Sequence, residues 1–192
     1  MQMVKPGTGR PAVWLWVLMA ICAVGLFLFW NHVNALTSIR EVQAMLTAGY
    51  ASLLYIAECD ARPRGVDDLF ELGVLQLSED KRNVFMPGWR SGLVTWTNVR
   101  RVILRFPETP EGFALRDERT VSEATGEELA CLELCGTSQG RGDIRRVNRR
   151  IGAMWFRVVN GKPTGEEWLD DLIQDRWSTS GPSADTRSND GD

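Results

Sequence analysis

Pro11 to Trp30 reads PAVWLWVLMAICAVGLFLFW. These twenty residues carry no charge. At about 1.5 Å rise per residue they extend about 30 Å, the thickness of a bilayer's hydrocarbon core. A single span of this kind has only one backbone solution, a helix, because lipid offers no partner to peptide N–H and C=O groups. Trp14, Trp16 and Trp30 stand near its ends, where indole rings prefer the headgroup region, and are read as interface anchors. Lys5 and Arg10 precede the span, and the next basic residue is Arg40, followed at once by Glu41. Positive charge is retained on the cytoplasmic side, so the N-terminus is expected inside and residues 31–192 outside. Val33-Asn34-Ala35 offers a cleaved signal peptide as the alternative. A cleavable apolar core runs about 7–15 residues, however, and this one is longer, so an uncleaved anchor is expected.

The segment that follows continues the helix. Ile39, Val42, Leu46, Tyr50, Leu53 and Ala57 recur at steps of three and four, whereas Arg40, Gln43, Thr47 and Glu58 fall off that stripe. No proline or clear cap separates this amphipathic half from the apolar half, so one continuous helix of about 45 residues is expected. Asp60-Ala61-Arg62-Pro63-Arg64-Gly65 should end it. The stripe is expected to cover a sheet built from residues 93–106 and 152–159, since a sheet with one apolar face must bury it.

Beyond residue 65 the signals are shorter. Val66–Leu75 reads as a short helix, with Asp67 and Asp68 in its first turn and Gly73 as its cap. Val84-Phe85 precedes a Pro87-Gly88 turn. Leu93 to Phe106, rich in β-branched and aromatic residues, reads as one or two strands, and Gly112–Asp117 as a returning strand after Pro107–Pro110. Thr125-Gly126-Glu127-Glu128 has the form of a capping box ahead of a helix closed by Gly136. Gly152–Val159 reads as a strand and Asn160-Gly161 as a hairpin turn. Glu166–Trp177 reads as a short helix or irregular segment, and the last fifteen residues as a disordered tail. The expected organisation is a cytoplasmic N-terminus (1–10), a transmembrane helix (11–31), an exported α+β domain (32–177) and the tail (178–192).

Composition narrows the function. The 192 residues hold 22 basic and 25 acidic side chains, a formal charge of −3, so no overall basic field points to a nucleic-acid partner. His32 is the only histidine, which largely removes Ser-His-Asp, Cys-His and His-metal chemistry from the main domain. The carboxylate pairs Asp67/Asp68, Glu127/Glu128, Glu166/Glu167 and Asp170/Asp171 are adjacent in sequence, so they diverge on a helix rather than converge across a cleft. No phosphate-loop glycine pattern occurs, and no cofactor, metal or catalytic role is expected. Cys59, Cys131 and Cys135 would face an oxidising compartment if exported, where a disulfide is the default. Cys22 lies in the span. Arg141, Arg145, Arg146, Arg149 and Arg150 lie within ten residues, opposed only by Asp143. They could grip an anionic headgroup, phosphate or an acidic partner, or form a solvated loop whose charge offsets the acidic remainder.

The order of a membrane helix, its amphipathic extension, a loop and a small α+β domain resembles the type IV pilin and pseudopilin architecture. Val66–Leu75 is similar to the segment that follows the long helix in many pilin-like domains. Thr125–Cys135, TGEELACLELC, is similar to the Cys-bearing short helix of type IVb pilins and conjugative-pilus relatives. Pilins carry a Gly immediately before the apolar helix and a Glu at the fifth mature position. Here Gly9-Arg10-Pro11 precedes the span and no acid lies in it, so the resemblance is to an uncleaved accessory type. It implies a disulfide from Cys59 to Cys131 or Cys135. It also implies an inner-membrane component of a pilus, secretion or conjugation machine, with membrane lipid and assembly proteins as partners. An anchored or secreted periplasmic binding module unrelated to pili is the alternative.

Overall fold

A computed structural model describes residues 10–89, 94–107, 109–136 and 142–180. The fold is α+β, and it opens on a single 50-residue helix, α1 (Arg10–Cys59). Two compact units divide between Ile39 and Arg40.

The described part of the first unit, residues 10–39, is helix alone. Its large apolar side chains stand exposed from Trp14 (74%) through Phe27 and Trp30 (both 65%). Among the described residues this is the one helix long and apolar enough to cross a membrane.

The second unit is built around residues 40–59 of α1. Ala44, Met45, Ala48, Ala51 and Leu53 are completely buried, and so are the polar Thr47 and Ser52. A buried hydroxyl needs a partner, and each finds one in its own helix. Thr47 Oγ1 donates to the Gln43 carbonyl at 2.8 Å and Ser52 Oγ to the Ala48 carbonyl at 2.7 Å. The expected one-sided stripe is therefore corrected: residues 44–54 are covered on nearly all sides, while Ile39 remains 53% exposed. Small side chains make this possible. At Gly49, an added Cβ would lie 2.8 Å from two Ile151 side-chain atoms and 3.1 Å from Leu132, so helix and neighbours meet almost backbone to side chain.

The remaining elements wrap this core. Helix α2 (Val66–Glu71) takes the first six residues of the expected 66–75 helix, with Leu69 buried, and the chain turns at Gly73 (φ +74°). Strands β1 (Gln76–Leu77) and β2 (Val84–Phe85) pair antiparallel, with Leu77 opposite Val84. The 93–106 stretch, expected as strand throughout, divides. Leu93 lies outside the described residues, Trp96–Val99 forms a single helical turn, α3, and only Val102–Leu104 is a strand, β3. Strands β4 (Phe113–Arg116) and β5 (Arg119–Ser122) form a tight hairpin, so 112–117 returns onto the segment after it and not onto 93–106.

Three further expectations are overturned. The 125–136 segment is not a Cys-bearing helix. Its capping-box residues close a turn, with the Glu127 N–H donating to Thr125 Oγ1 at 3.2 Å and Gly126 at φ +68°, and the chain then becomes β6 (Leu132–Leu134). Leu132 and Leu134 alternate with Glu133, and they sit opposite Leu104 and Val102 of β3. Residues 152–159 are not a strand but the second half of α4 (Gly142–Val159). Consequently Asn160-Gly161 closes a helix and not a hairpin: Gly161, at φ +64°, donates its N–H to the Val158 carbonyl at 3.0 Å. Finally α5 (Glu167–Ser180) runs three residues into the expected tail, and residues 181–192 lie outside the described residues.

Candidate anion-binding cleft on the fourth helix

Helix α4 is two-faced. Ile144, Val147, Ile151 and Trp155, at steps of three and four, are buried. Asn148, 5% exposed, locks this face to β6: its Oδ1 accepts from the Leu132 N–H at 2.7 Å and its Nδ2 donates to the Leu132 carbonyl at 2.8 Å. One side chain thus supplies both hydrogen bonds that a neighbouring strand residue would give, and leaves nothing buried unsatisfied there.

The opposite face carries Arg146, Arg150, Ala153 and Arg157, which fall at i, i+4, i+7 and i+11 and so share one side of the cylinder. With Arg149 they line a cleft of about 400 Å³ whose other wall is the Thr164–Glu166 connection between α4 and α5, with Glu118 from the β4–β5 turn. The connection is held by Asp170 near the start of α5. Its two carboxylate oxygens accept the Thr164 N–H at 2.7 Å and the Gly165 N–H at 3.3 Å. Gly165, at φ +92°, leaves space that a Cβ would close, since that atom would lie 2.8 Å from an Arg157 guanidinium nitrogen.

The guanidinium groups are fixed to different degrees. Arg149 pairs with Glu128 at 3.3 Å, and Arg150 with Glu166 at 2.5 Å. Arg150 also lies over the Tyr50 ring, 5.7 Å from its centroid. Burial pushes the Tyr50 phenol above its ordinary 10.0, and the Arg150 charge opposes that rise. Arg157 donates to the Thr164 carbonyl at 3.0 Å. Arg146 is exposed and has no hydrogen-bond or ion-pair partner among the described residues.

Arg146, Arg149 and Arg150, singled out in sequence, are thus brought together on an ordered helix and not on a loop. Arg145 lies on the same helix outside the cleft lining, and Arg141 lies outside the described residues. Arg157 and the Thr164–Glu166 wall were missed. Reading 142–159 as one helical period would have added Arg157 to the stripe.

The other sequence candidates are not part of the cleft lining. Trp14, Trp16 and Trp30 are exposed on the apolar half of α1. The disulfide implied by the resemblance is not formed, since Cys22, Cys59, Cys131 and Cys135 are all free thiols. Cys131 is enclosed in the core, where burial pushes its pKa up to about 12. Cys59, at the end of α1, is exposed, and its pKa is raised by partial desolvation and by Glu58. Among the described residues no group of three His, Cys, Asp or Glu side chains is arranged to hold a metal ion. Comparison with known proteins returns no relative: no family model, no curated protein and no solved structure matches the chain.

Proposed function

We propose that the chain is a single-pass protein of the bacterial inner membrane, with its N-terminus cytoplasmic and its α+β domain exported. In this reading it is a non-catalytic structural or assembly component of a pilus, secretion or conjugation machine. The observation that carries the reading is the first half of α1, in which bulky apolar side chains from Trp14 to Trp30 are all exposed with no protein to cover them. Lys5 and Arg10 ahead of that stretch support the orientation. A long N-terminal helix whose second half forms the core of a small α+β unit is compatible with a pilin-like component.

Reporter fusions after Trp177 test the topology: an exported phosphatase should be active there and a cytoplasmic reporter silent. A soluble species beginning near Leu36 would identify cleavage instead. Deletion of the gene, scored for piliation, conjugation and protein secretion, tests the assembly role. Loss of one of these, restored by the intact chain, is the expected outcome. The arginine cleft favours the second reading, an anchored binding module, which is the conclusion if all three processes survive deletion.

A further inference from the structure

We propose that the α4 cleft is a binding site for a phosphate-type oxyanion, with Glu166 acting as the internal counterion that the ligand displaces. The inference concerns the cleft residues and those that hold them, and stands or falls separately from the topology above.

Arg146 and Arg150 are like charges at i, i+4, and Arg146 and Arg149 at i, i+3, spacings at which like charges repel across one helix face and weaken the helix. The chain meets that repulsion only in part. Glu128 takes Arg149 and Glu166 takes Arg150, while Arg157 has a carbonyl for its partner and Arg146 has none among the described residues. Two guanidinium groups in one cleft are therefore without a carboxylate. Glu118, which also lines the cleft, is exposed and forms no ion pair among the described residues.

Two of the donors are held in place before any ligand arrives. Arg150 is held between Glu166 and the face of Tyr50, and Arg157 against the Thr164–Gly165 backbone, which is itself fixed by Asp170. Donors fixed before binding lose little side-chain freedom on meeting an anion. The nearby neutral donors are occupied, with the Thr164 and Gly165 N–H groups on Asp170 and the Glu166 N–H on the Thr164 hydroxyl. Recognition falls to guanidinium forks, which match the paired oxygens of phosphate and can share one tetrahedral anion among several arginines. A carboxylate offers only two oxygens. The cleft's volume of about 400 Å³ admits a phosphate together with a small organic group.

The test uses the full chain in a non-ionic detergent, titrated calorimetrically at constant ionic strength. The probes are inorganic pyrophosphate, and dihexanoyl phosphatidic acid against dihexanoyl phosphatidylcholine, all below micelle formation. Pyrophosphate is expected to bind, and Arg146→Gln and Arg150→Gln to weaken it roughly tenfold each, the usual loss for one charge-assisted hydrogen bond. Glu166→Gln should tighten binding several-fold, a gain that a misfolded variant could not produce. Arg105→Gln, outside the cleft, should leave binding unchanged. Binding of the phosphatidic acid alone would assign the oxyanion to a lipid headgroup, binding of pyrophosphate alone to a soluble phosphate compound, and binding of both to the phosphate group that the two share. Absence of binding by either probe would overturn the proposal, as would losses no larger for Arg146→Gln and Arg150→Gln than for Arg105→Gln.

Discussion

The two halves of α1 are both rich in apolar residues, yet they are built from different side chains. From Trp14 to Trp30 the helix displays Trp, Leu, Phe, Ile, Met and Val, exposed between 43% and 74%. From Ala44 to Leu54 the same helix carries Ala44, Ala48, Gly49, Ala51 and Ser52, and almost nothing is exposed. Hydrophobicity alone does not distinguish these environments. Side-chain volume does: a helix that other elements must approach from several sides needs small residues on the approach lines, whereas a helix facing lipid gains from bulk.

That contrast can be broken in four ways. Leu53→Ala should cost the α+β unit about 2–5 kcal/mol, since a fully buried leucine leaves a cavity. Leu28→Ala, at a side chain 61% exposed, should leave chemical denaturation of that unit within about 0.5 kcal/mol of the parent. Equal losses at the two positions would mean that the first half is packed against protein after all. Gly49→Val should destabilise by about 1–3 kcal/mol, because its Cβ meets Ile151 at 2.8 Å. Gly25→Val, with nothing within 4 Å, should be near neutral in the same assay.

The thiols sharpen the comparison at alkaline pH. Cys131 keeps its proton up to about pH 12 in the folded state, whereas the ordinary value is 9.0. Because the folded value is raised, the stability linked to Cys131 is fully present below about pH 9. It declines by at most about 1.4 kcal/mol per pH unit from there toward pH 12. A Cys131→Ala variant should lose that slope, whatever it loses in overall stability. In native protein at pH 8, iodoacetamide should label Cys59 and Cys135, both exposed, and spare Cys131 until denaturant is added. Rapid labelling of native Cys131 would contradict the enclosed core. The smallest effect is expected at the two back-bonded hydroxyls. Thr37 Oγ1 donates to the Val33 carbonyl at 2.9 Å in the exposed half, as Ser52 does to Ala48 in the buried half. Each carbonyl retains its helical N–H partner, so Thr37→Ala and Ser52→Ala should both fall within about 0.5 kcal/mol of the parent. A loss above 1 kcal/mol at Ser52 alone would show that its hydroxyl makes a packing contact beyond the helix.

Long local signals were legible in the sequence. Fifty residues without a break gave α1, and Asp67 and Asp68 ahead of Leu69 gave α2. The errors arose where two periods coexist or where the partner is remote. GAMWFRVV, residues 152–159, contains enough β-branched and aromatic side chains to suit a strand, and only when Ile144, Val147 and Ile151 are counted with Trp155 does the helical period emerge. Thr125 and Glu128 have the form of a capping box, but Leu132 and Leu134 find their best neighbours in Val102 and Leu104, about thirty residues away. The cleft shows the same division. Charge density alone located Arg146, Arg149 and Arg150. Arg157 and the wall at Thr164–Glu166 come together only through the fold.

The ring geometry at Tyr50 gives the folded state an optical signature of its own. Trp89 and Trp168 stack at 13° with centroids 6.1 Å apart, and Tyr50 meets both edge-on at 5.1 Å. Two indoles this close and nearly parallel couple their electronic transitions, so near-ultraviolet circular dichroism should contain a band that neither ring produces alone. These partners are 79 positions apart in sequence, so the band reports tertiary assembly and is blind to helix content. Trp14, Trp16 and Trp30 stand exposed on the apolar half of α1 and make no ring contact among the described residues. One spectrum therefore separates loss of the α+β unit from any change in the apolar half of α1, with no label attached.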